Sequence, residues 1–311
     1  MTFLLAPRQG RTSIAWYALG TLVVVLLYVV VSLMAATVLF GAGGTPPDPI
    51  TIPELPLGSI GAAATLAILL LPSVAVLVGV VVVVPVLHLR SPATLVRAGG
   101  PPRWRRALLA AGVWAGCAAA FETVSYLLYP GSYTWTFDAA RFVPLLVVAV
   151  LLVPLQSAAE ELLFRGYLMQ GLGWMLGRGW AALLVSSVLF AAVHLGNPEL
   201  ARFGSGFLFY YAGIGVVLGL ATLLDDGLEV AIGAHAANNL WGALVVSFPG
   251  SVLDTPALLR LEGVPPEVMV ALGGATALTA LVVLAILLDW RGRWRALGAV
   301  EPRIEITGSL P

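Results

Sequence analysis

Long apolar runs, separated by short polar or Pro- and Gly-rich segments, dominate this chain. Eight of them approach or exceed the roughly 20 residues that a helix needs to cross a bilayer. The fifth run is short, and the second contains Pro72 and Pro85, which predict a kink that neighbouring helices can tolerate. The pattern predicts an all-α integral membrane protein, a bundle of about eight transmembrane helices near residues 13–40, 59–88, 105–128, 142–171, 180–196, 205–224, 228–247 and 267–289.

Composition supports this class. Of 311 residues, 59% are hydrophobic and 10% are charged, against about 25% charged in a typical soluble domain. The net charge of zero provides no basic field for binding nucleic acid. The hydrophobic composition instead predicts membrane lipids as the surroundings of the chain. The single Cys117 excludes an intramolecular disulfide and a cysteine-based metal cage. We expect a single transmembrane domain over 13–289 with short tails at 1–12 and 290–311.

The distribution of arginine predicts the orientation. All 16 basic residues are arginines, which is typical of a GC-rich bacterial genome, so a bacterial plasma membrane is expected. Loops rich in arginine face the cytoplasm, which places both termini there and agrees with an even number of spans. The arginines on this side are Arg8, Arg11, Arg90, Arg97, Arg103, Arg105, Arg106, Arg291, Arg293, Arg295 and Arg303, whereas the opposite side has Arg141, Arg202 and Arg260.

Polar residues inside spanning helices are costly and therefore suggest a function. They concentrate in the fourth, fifth and seventh predicted helices, and comprise Glu160, Glu161, Arg165, His194, His235 and Asn239. Counted along each helix from its cytoplasmic end at about 1.5 Å per residue, these side chains reach one layer of the membrane. We therefore predict an intramembrane polar cavity that opens toward the cytoplasmic, arginine-rich side.

Helical spacing sorts these residues further. Glu161 and Arg165 are four residues apart, which favours an ion pair on one helix face. Glu160 is rotated by about 100° and is free to face the cavity. His235 and Asn239 are also four apart and share a face.

This set of side chains fits peptide hydrolysis in two ways. A Glu beside a His can hold and deprotonate a water, while a second His with an Asn donates hydrogen bonds to the oxyanion of a tetrahedral intermediate. Alternatively, Glu160, His194 and His235 are three plausible ligands for a catalytic zinc with an open fourth position. The residues by themselves leave both mechanisms open.

Three segments resemble the signatures of the CPBP family, also called Abi or type II CAAX prenyl endopeptidases. The family pattern is E-E-x-x-x-R, F-x-x-x-H and H-x-x-x-N on three successive transmembrane helices. The matching segments are Glu160-Glu161-Leu-Leu-Phe-Arg165, Phe190-Ala-Ala-Val-His194 and His235-Ala-Ala-Asn-Asn239. The resemblance covers residues 142–247, which we predict to be the catalytic core.

The resemblance implies an intramembrane endopeptidase that cuts a membrane-associated protein or peptide, of CAAX type or otherwise lipid-modified. It implies that Glu160 and His194 activate water and that His235 and Asn239 form the oxyanion hole. Glu161 belongs to the catalytic set, with Arg165 and Phe190 supporting it. The mechanism favoured here needs no cofactor, with zinc as the alternative.

Two other functions are compatible with parts of the sequence. The first is a non-catalytic immunity or regulatory membrane protein of the same family, which would be expected to have lost at least one motif residue. The second is a transporter, a class that often has duplicated halves with paired broken helices. No second copy of the polar cluster occurs in the first three predicted helices, so the protease remains the preferred prediction.

Overall fold

The computed structural model describes residues 2–43 and 54–300. Part of the predicted loop over 41–56 and the predicted tail from 301 onward lie outside the described residues. A helix occupies each of the eight predicted places. We number these helices α1 (Ile14–Gly43), α2 (Gly61–Leu87), α3 (Trp104–Leu128), α4 (Ala139–Leu176), α5 (Gly179–Val193), α6 (Gly206–Asp225), α7 (Glu229–Leu244) and α8 (Pro266–Leu287).

Six of these helices, α1 to α4, α6 and α8, are long and apolar enough to cross a membrane. In contrast, α5 has 15 residues and α7 has 16. At about 1.5 Å per residue, neither spans the roughly 30 Å hydrocarbon core alone. The prediction of an all-α membrane protein is confirmed, but the count of eight full spans is not.

The helix ends form two chemically different faces of the bundle. On one face, the Arg103 guanidinium donates to Asp225 at 2.8 Å and to Glu229 at 2.9 Å, and the Thr2 amide donates to Asp226 at 2.8 Å. We call this end the arginine-rich face, since it carries Arg8, Arg11, Arg90, Arg97, Arg103, Arg105, Arg106, Arg178, Arg291, Arg293 and Arg295. The other end, the arginine-poor face, carries Arg141, Arg202 and Arg260.

The N-terminal residues contribute to the core. Phe3–Gln9 forms a 3₁₀ helix that packs against the last turns of α4. Phe3 and Leu4 are buried, and a Cβ on Gly173 would lie 2.9 Å from the Leu4 side chain. Part of the predicted tail over 1–12 is therefore packed onto the bundle at the arginine-rich face.

Small residues let the helices around α6 and α7 approach closely. A Cβ on Gly233 in α7 would lie 1.9 Å from the Ala107 carbonyl oxygen of α3. A Cβ on Gly219 in α6 would lie 2.4 Å from Leu183 of α5, and one on Gly215 would meet α5 at 3.1 Å. Gly215 and Gly219 thus form a pair of small residues four apart, a motif typical of close contacts between membrane helices.

A small sheet covers part of the arginine-poor face. Its strands are β1 (Tyr133–Trp135), β2 (Val246–Ser247) and β3 (Leu259–Leu261). The central strand β3 pairs antiparallel with β1 and parallel with β2. Since β2 follows directly after α7, this sheet fixes the end of the short helix that carries His235 and Asn239.

Candidate active site

The Glu161 and Arg165 side chains form a buried ion pair at the centre of the bundle. Arg165 Nη1 donates to Glu161 Oε1 at 2.8 Å, and both side chains are fully buried. The pair lies where α4 changes from α-helical to π-helical geometry over Leu162–Met169, a feature frequent at functional sites. The ion pair predicted from the four-residue spacing is confirmed.

This ion pair also holds three other helices in register. Glu161 Oε1 accepts a hydrogen bond from His235 Nδ1 on α7 at 2.8 Å. Arg165 Nη2 donates to the Gly215 carbonyl oxygen on α6 at 3.1 Å, and its guanidinium lies 4.5 Å from the Phe190 ring centroid of α5. Buried charges persist only when paired and hydrogen-bonded, so Glu161 and Arg165 fix how α4 to α7 meet.

Glu160 faces away from this pair and toward a cavity. Its side chain is 22% exposed, and its Oε2 lies 3.7 Å from His235 Nε2. Glu160 Oε1 accepts a hydrogen bond from Gln156 Nε2, whereas Oε2 is buried without a hydrogen-bond partner in the described part of the chain. The carboxylate therefore keeps one acceptor oxygen, next to His235, that no described residue uses.

His194 lies just after α5 and lines the same cavity as Glu160. Its Nδ1 is 2.6 Å from the Phe190 carbonyl oxygen, and because a carbonyl can only accept, Nδ1 carries the hydrogen and Nε2 holds the lone pair of the neutral ring. The ring stacks on Tyr211 with centroids 4.2 Å apart. Within the described residues, His194 and Glu160 share a cavity without a direct hydrogen bond.

A hydrogen-bonded chain connects α6, α7 and α4 along one wall of the cavity. Tyr210 donates to Asn238 at 3.3 Å, and Asn238 donates to Asn239 Oδ1 at 3.0 Å. Asn239 Nδ2 then donates to Gln156 Oε1 at 2.9 Å, and Gln156 Nε2 donates to Glu160. Each amide uses its oxygen on one side and its nitrogen on the other, so this amide chain has a single direction.

Gln156 was missed by the sequence analysis, although it joins the two predicted functional groups, Glu160 and Asn239. It lies four residues before Glu160, the spacing that places two side chains on one helix face. That spacing is the signal that could have found it. Asn239 keeps one further N–H for a ligand, because its Nδ2 has two hydrogens and one of them is directed at Gln156.

The cavity has a volume of about 990 Å³. It is bounded by the halves of α1, α2, α3, α6 and α8 that lie nearer to the arginine-poor face, over 24–40, 66–76, 114–125, 207–214 and 269–276. Loop residues of that face, among them Asn197, Glu199 and Val252, complete its wall. The predicted polar cavity is present, but the predicted opening toward the arginine-rich face is wrong.

Glu199 is a second acid of the cavity wall that sequence analysis missed. It lies in the short helix Pro198–Phe203, where its Oε1 accepts a hydrogen bond from the Val252 amide at 2.7 Å and its Oε2 is buried without a partner among the described residues. Burial raises the pKa of the Glu199 carboxyl above its usual range, against the lowering effect of the Val252 amide. Its position in a polar loop outside the apolar runs concealed it.

The alternative of a zinc ion bound by Glu160, His194 and His235 can be compared with the placement of these residues. Among the described residues, no three His, Cys, Asp or Glu side chains are grouped as a metal site requires. The hydrogen bonds of the two histidines do not exclude a metal, because each ring bonds through Nδ1, to the Phe190 carbonyl or to Glu161, and keeps Nε2, as zinc-bound histidines do. It is the separation of the three side chains, as placed, that does not fit a shared zinc ion.

Comparison with known proteins gives two matches. Residues 139–241 match the family model of type II CAAX prenyl endopeptidase Rce1-like proteins, a range that includes every motif residue from Glu160 to Asn239. The chain is also similar to the uncharacterized protein YyaK of Bacillus subtilis (strain 168), with 31% identity over 160 residues. This alignment covers 51% of the chain and 54% of YyaK, so the chain spans about half the length of this curated relative. No solved structure matches.

Proposed function

We propose that the protein is an intramembrane endopeptidase, because residues 139–241 match the family model of type II CAAX prenyl endopeptidase Rce1-like proteins. Its substrate would be a membrane-associated protein or peptide, hydrolysed near the membrane surface. The observation that carries the proposal is the meeting of Glu160, His235 and Asn239 at one cavity wall, with Gln156 joining the acid to the carboxamide.

In the proposed mechanism, Glu160 and His194 hold the attacking water. The acceptor atoms that would hold it are His194 Nε2 and Glu160 Oε2, which is buried without a hydrogen-bond partner among the described residues. Glu160 takes a proton from the water as its oxygen attacks the carbonyl carbon of the scissile peptide. The same carboxyl then delivers this proton to the leaving amine nitrogen, as a general base that becomes a general acid does.

His235 and Asn239 would stabilise the oxyanion. Asn239 contributes the N–H that it does not use for Gln156. His235 Nδ1 is committed to Glu161, so its Nε2 can donate only when both ring nitrogens carry a hydrogen. A protonated His235 would lie between Glu161 at 2.8 Å and Glu160 at 3.7 Å. These donors stabilise the charge that develops on the carbonyl oxygen.

The proposal is tested by cleavage of a library of membrane peptides, including prenylated ones, with the purified protein in lipid nanodiscs. We expect specific products by mass spectrometry, and we expect cleavage to persist after incubation with a zinc chelator, because the proposed water activation uses the protein's own groups. Loss of cleavage on chelation, restored by zinc, would instead support the metal mechanism. No cleavage of any peptide would favour the non-catalytic immunity or regulatory protein, or a transporter.

Gln156→Leu is expected to lower kcat by about 10- to 100-fold, with little change in KM or in the unfolding temperature. The substitution removes the amide that fixes both Glu160 and Asn239, and a small misplacement of catalytic groups costs about 100-fold. Steady-state kinetics and thermal unfolding of the same preparations measure the three quantities.

Gln156→Glu separates the two contacts of this side chain. A carboxylate keeps an acceptor for Asn239 but has no hydrogen for Glu160, and it places two acids side by side. We expect it to be impaired at least as much as Gln156→Leu. If both variants lost stability with kcat unchanged, Gln156 would only hold the helices together, and its proposed positioning role would be wrong.

A further inference from the structure

The two ends of the bundle differ in what separates the candidate site from water. Toward the arginine-rich face, the layer beyond the Glu161 and Arg165 pair consists of tightly packed, buried side chains. Tyr167 and Met169 are fully buried, and Leu223 is 2% exposed. Phe3 of the N-terminal 3₁₀ helix, 1% exposed, closes the core beyond them. Among the described residues, the cavity wall includes no residue from this layer.

Polar contacts reinforce the closure of this end. Arg103 bridges Asp225 at the end of α6 and Glu229 at the start of α7. Asp225 also accepts a hydrogen bond from Trp290 Nε1 at 3.0 Å, and Asp226 accepts from the Phe3 amide at 2.9 Å. Opening a path to the site from this face would therefore break buried ion pairs as well as apolar packing.

Toward the arginine-poor face, the cavity itself extends to the loops. Asn197, Glu199 and the segment 251–253 line it there, and the Val252 side chain is 38% exposed. The helices α5 and α7, which carry the candidate site, are the two short ones, so loops rather than helix continue the wall above them. Irregular backbone at membrane depth is tolerated only when it is buried in protein or lines a water-filled cavity.

The cavity wall also indicates the charge of its ligand. Glu122, Glu160 and Glu199 line it, whereas none of its described lining residues is an arginine and the chain contains no lysine. Much of the remaining wall is apolar, with Leu66 and Leu70 of α2 among its residues. Like charges repel in such a low-dielectric space, so an apolar segment without acidic side chains fits better than an acidic one.

Arginine-rich short loops face the cytoplasm, which places the arginine-poor face on the other side of the membrane. We propose that the substrate is an apolar segment of an exported or membrane protein, presented to the site from the extracytoplasmic face. The identity of the ligand as a peptide substrate rests on the proposed function, whereas the direction of access does not. A lipid-modified C-terminus that stays in the cytoplasm would meet the closed end of the bundle.

Cysteine labelling in intact bacterial cells tests the direction of access without requiring any catalysis. In a Cys117→Ala background, single cysteines are introduced as Val252→Cys at the cavity mouth, Ser32→Cys within the cavity wall and Arg97→Cys on the arginine-rich face. A membrane-impermeant maleimide and a small charged methanethiosulfonate are added outside the cells. Ser32→Cys is nearly isosteric, and because Ser32 Oγ is buried in the wall, its reactivity reports on whether water and a small reagent reach this part of the cavity.

We expect the maleimide to modify Val252→Cys and the methanethiosulfonate to modify Ser32→Cys in intact cells, with Arg97→Cys modified only after lysis. Labelling of Arg97→Cys from outside, with Val252→Cys protected until lysis, would overturn the proposed orientation. If Val252→Cys were labelled but Ser32→Cys stayed protected until lysis, the inferred access to the cavity from the arginine-poor face would be wrong.

A second experiment links access to cleavage. One apolar cleavable segment is placed on either side of the membrane in two otherwise identical reporters, each expressed with the wild-type protein and with Glu160→Gln. We expect only the outward-facing reporter to be cut, and only by the wild type. Cutting of the inward-facing reporter alone would overturn the inference but leave the proposed function intact. No cutting of either reporter, with cavity labelling as expected, would contradict the proposed function and with it the peptide substrate, but would leave the inferred direction of access intact.

Discussion

Glu160→Gln is expected to lower kcat for peptide cleavage by about 100- to 10,000-fold, the contribution of a positioned proton-transfer group. Gln has the size of Glu and can still accept a hydrogen bond from Gln156, but it cannot take a proton from water. The side chain is partly exposed to the cavity and outside the buried ion pair, so the unfolding temperature should change little. Single-turnover cleavage and thermal unfolding of the purified variant measure both effects.

Glu122→Gln is the matched control for this substitution, because Glu122 is another acid of the same cavity wall. Its oxygens are used by Tyr133, whose hydroxyl donates at 2.5 Å, and by Trp241 at 3.4 Å. We expect a far smaller loss of kcat from Glu122→Gln than from Glu160→Gln. Comparable losses would indicate that the cavity needs negative charge in general, and full activity of Glu160→Gln would exclude Glu160 as the base.

Arg165→Leu is expected to lower the free energy of unfolding by about 3–5 kcal/mol, the range for breaking a buried ion pair by removing one partner. The variant leaves Glu161 fully buried with His235 as its remaining hydrogen-bond partner. It also removes the donor to the Gly215 carbonyl oxygen, so the contact between α4 and α6 weakens. Unfolding in detergent, followed by circular dichroism against denaturant concentration, measures the change.

Two comparisons make this prediction specific. Arg141→Leu removes an ion pair with Glu54 in which both side chains are 42% exposed, and it should cost less than about 1 kcal/mol. The double variant Glu161→Gln with Arg165→Leu should recover part of the stability, because no unpaired charge remains buried. Equal losses from Arg165→Leu and Arg141→Leu would show that burial of the pair contributes no extra stability.

Local patterns were sufficient for much of the fold and for the central ion pair. Apolar runs of membrane-spanning length predicted the place of every long helix, since a helix satisfies the polar groups of its backbone within one such segment. The four-residue spacing predicted the contact between Glu161 and Arg165, and the offset of one residue predicted that Glu160 would face elsewhere. Both predictions concern residues of one helix, whose relative directions are fixed by helix geometry and do not depend on how neighbouring helices pack.

Relations between helices could not be obtained in this way. The partner of Glu160 at 3.7 Å is His235, which the sequence had paired with Asn239, and the Gln156 contact to Asn239 joins α4 to α7. Such contacts depend on the rotation and depth of each helix, which the packing of small residues such as Gly233 against Ala107 decides. No periodicity along one helix contains this information.

The sequence by itself determined the membrane class, the places of the helices, the asymmetry of arginine between the two faces and the motif residues of the candidate site, but not Gln156 or Glu199. Only the tertiary structure decided that α5 and α7 stop short of a full span, and that the cavity lies toward the arginine-poor face. The physical reason is that the sequence gives only the depth of each residue along its own helix. Access to the cavity depends instead on which end of the bundle is sealed by side chains from several helices packed against one another. The buried side chains of Tyr167, Met169 and Leu223 seal the end of the bundle at the arginine-rich face.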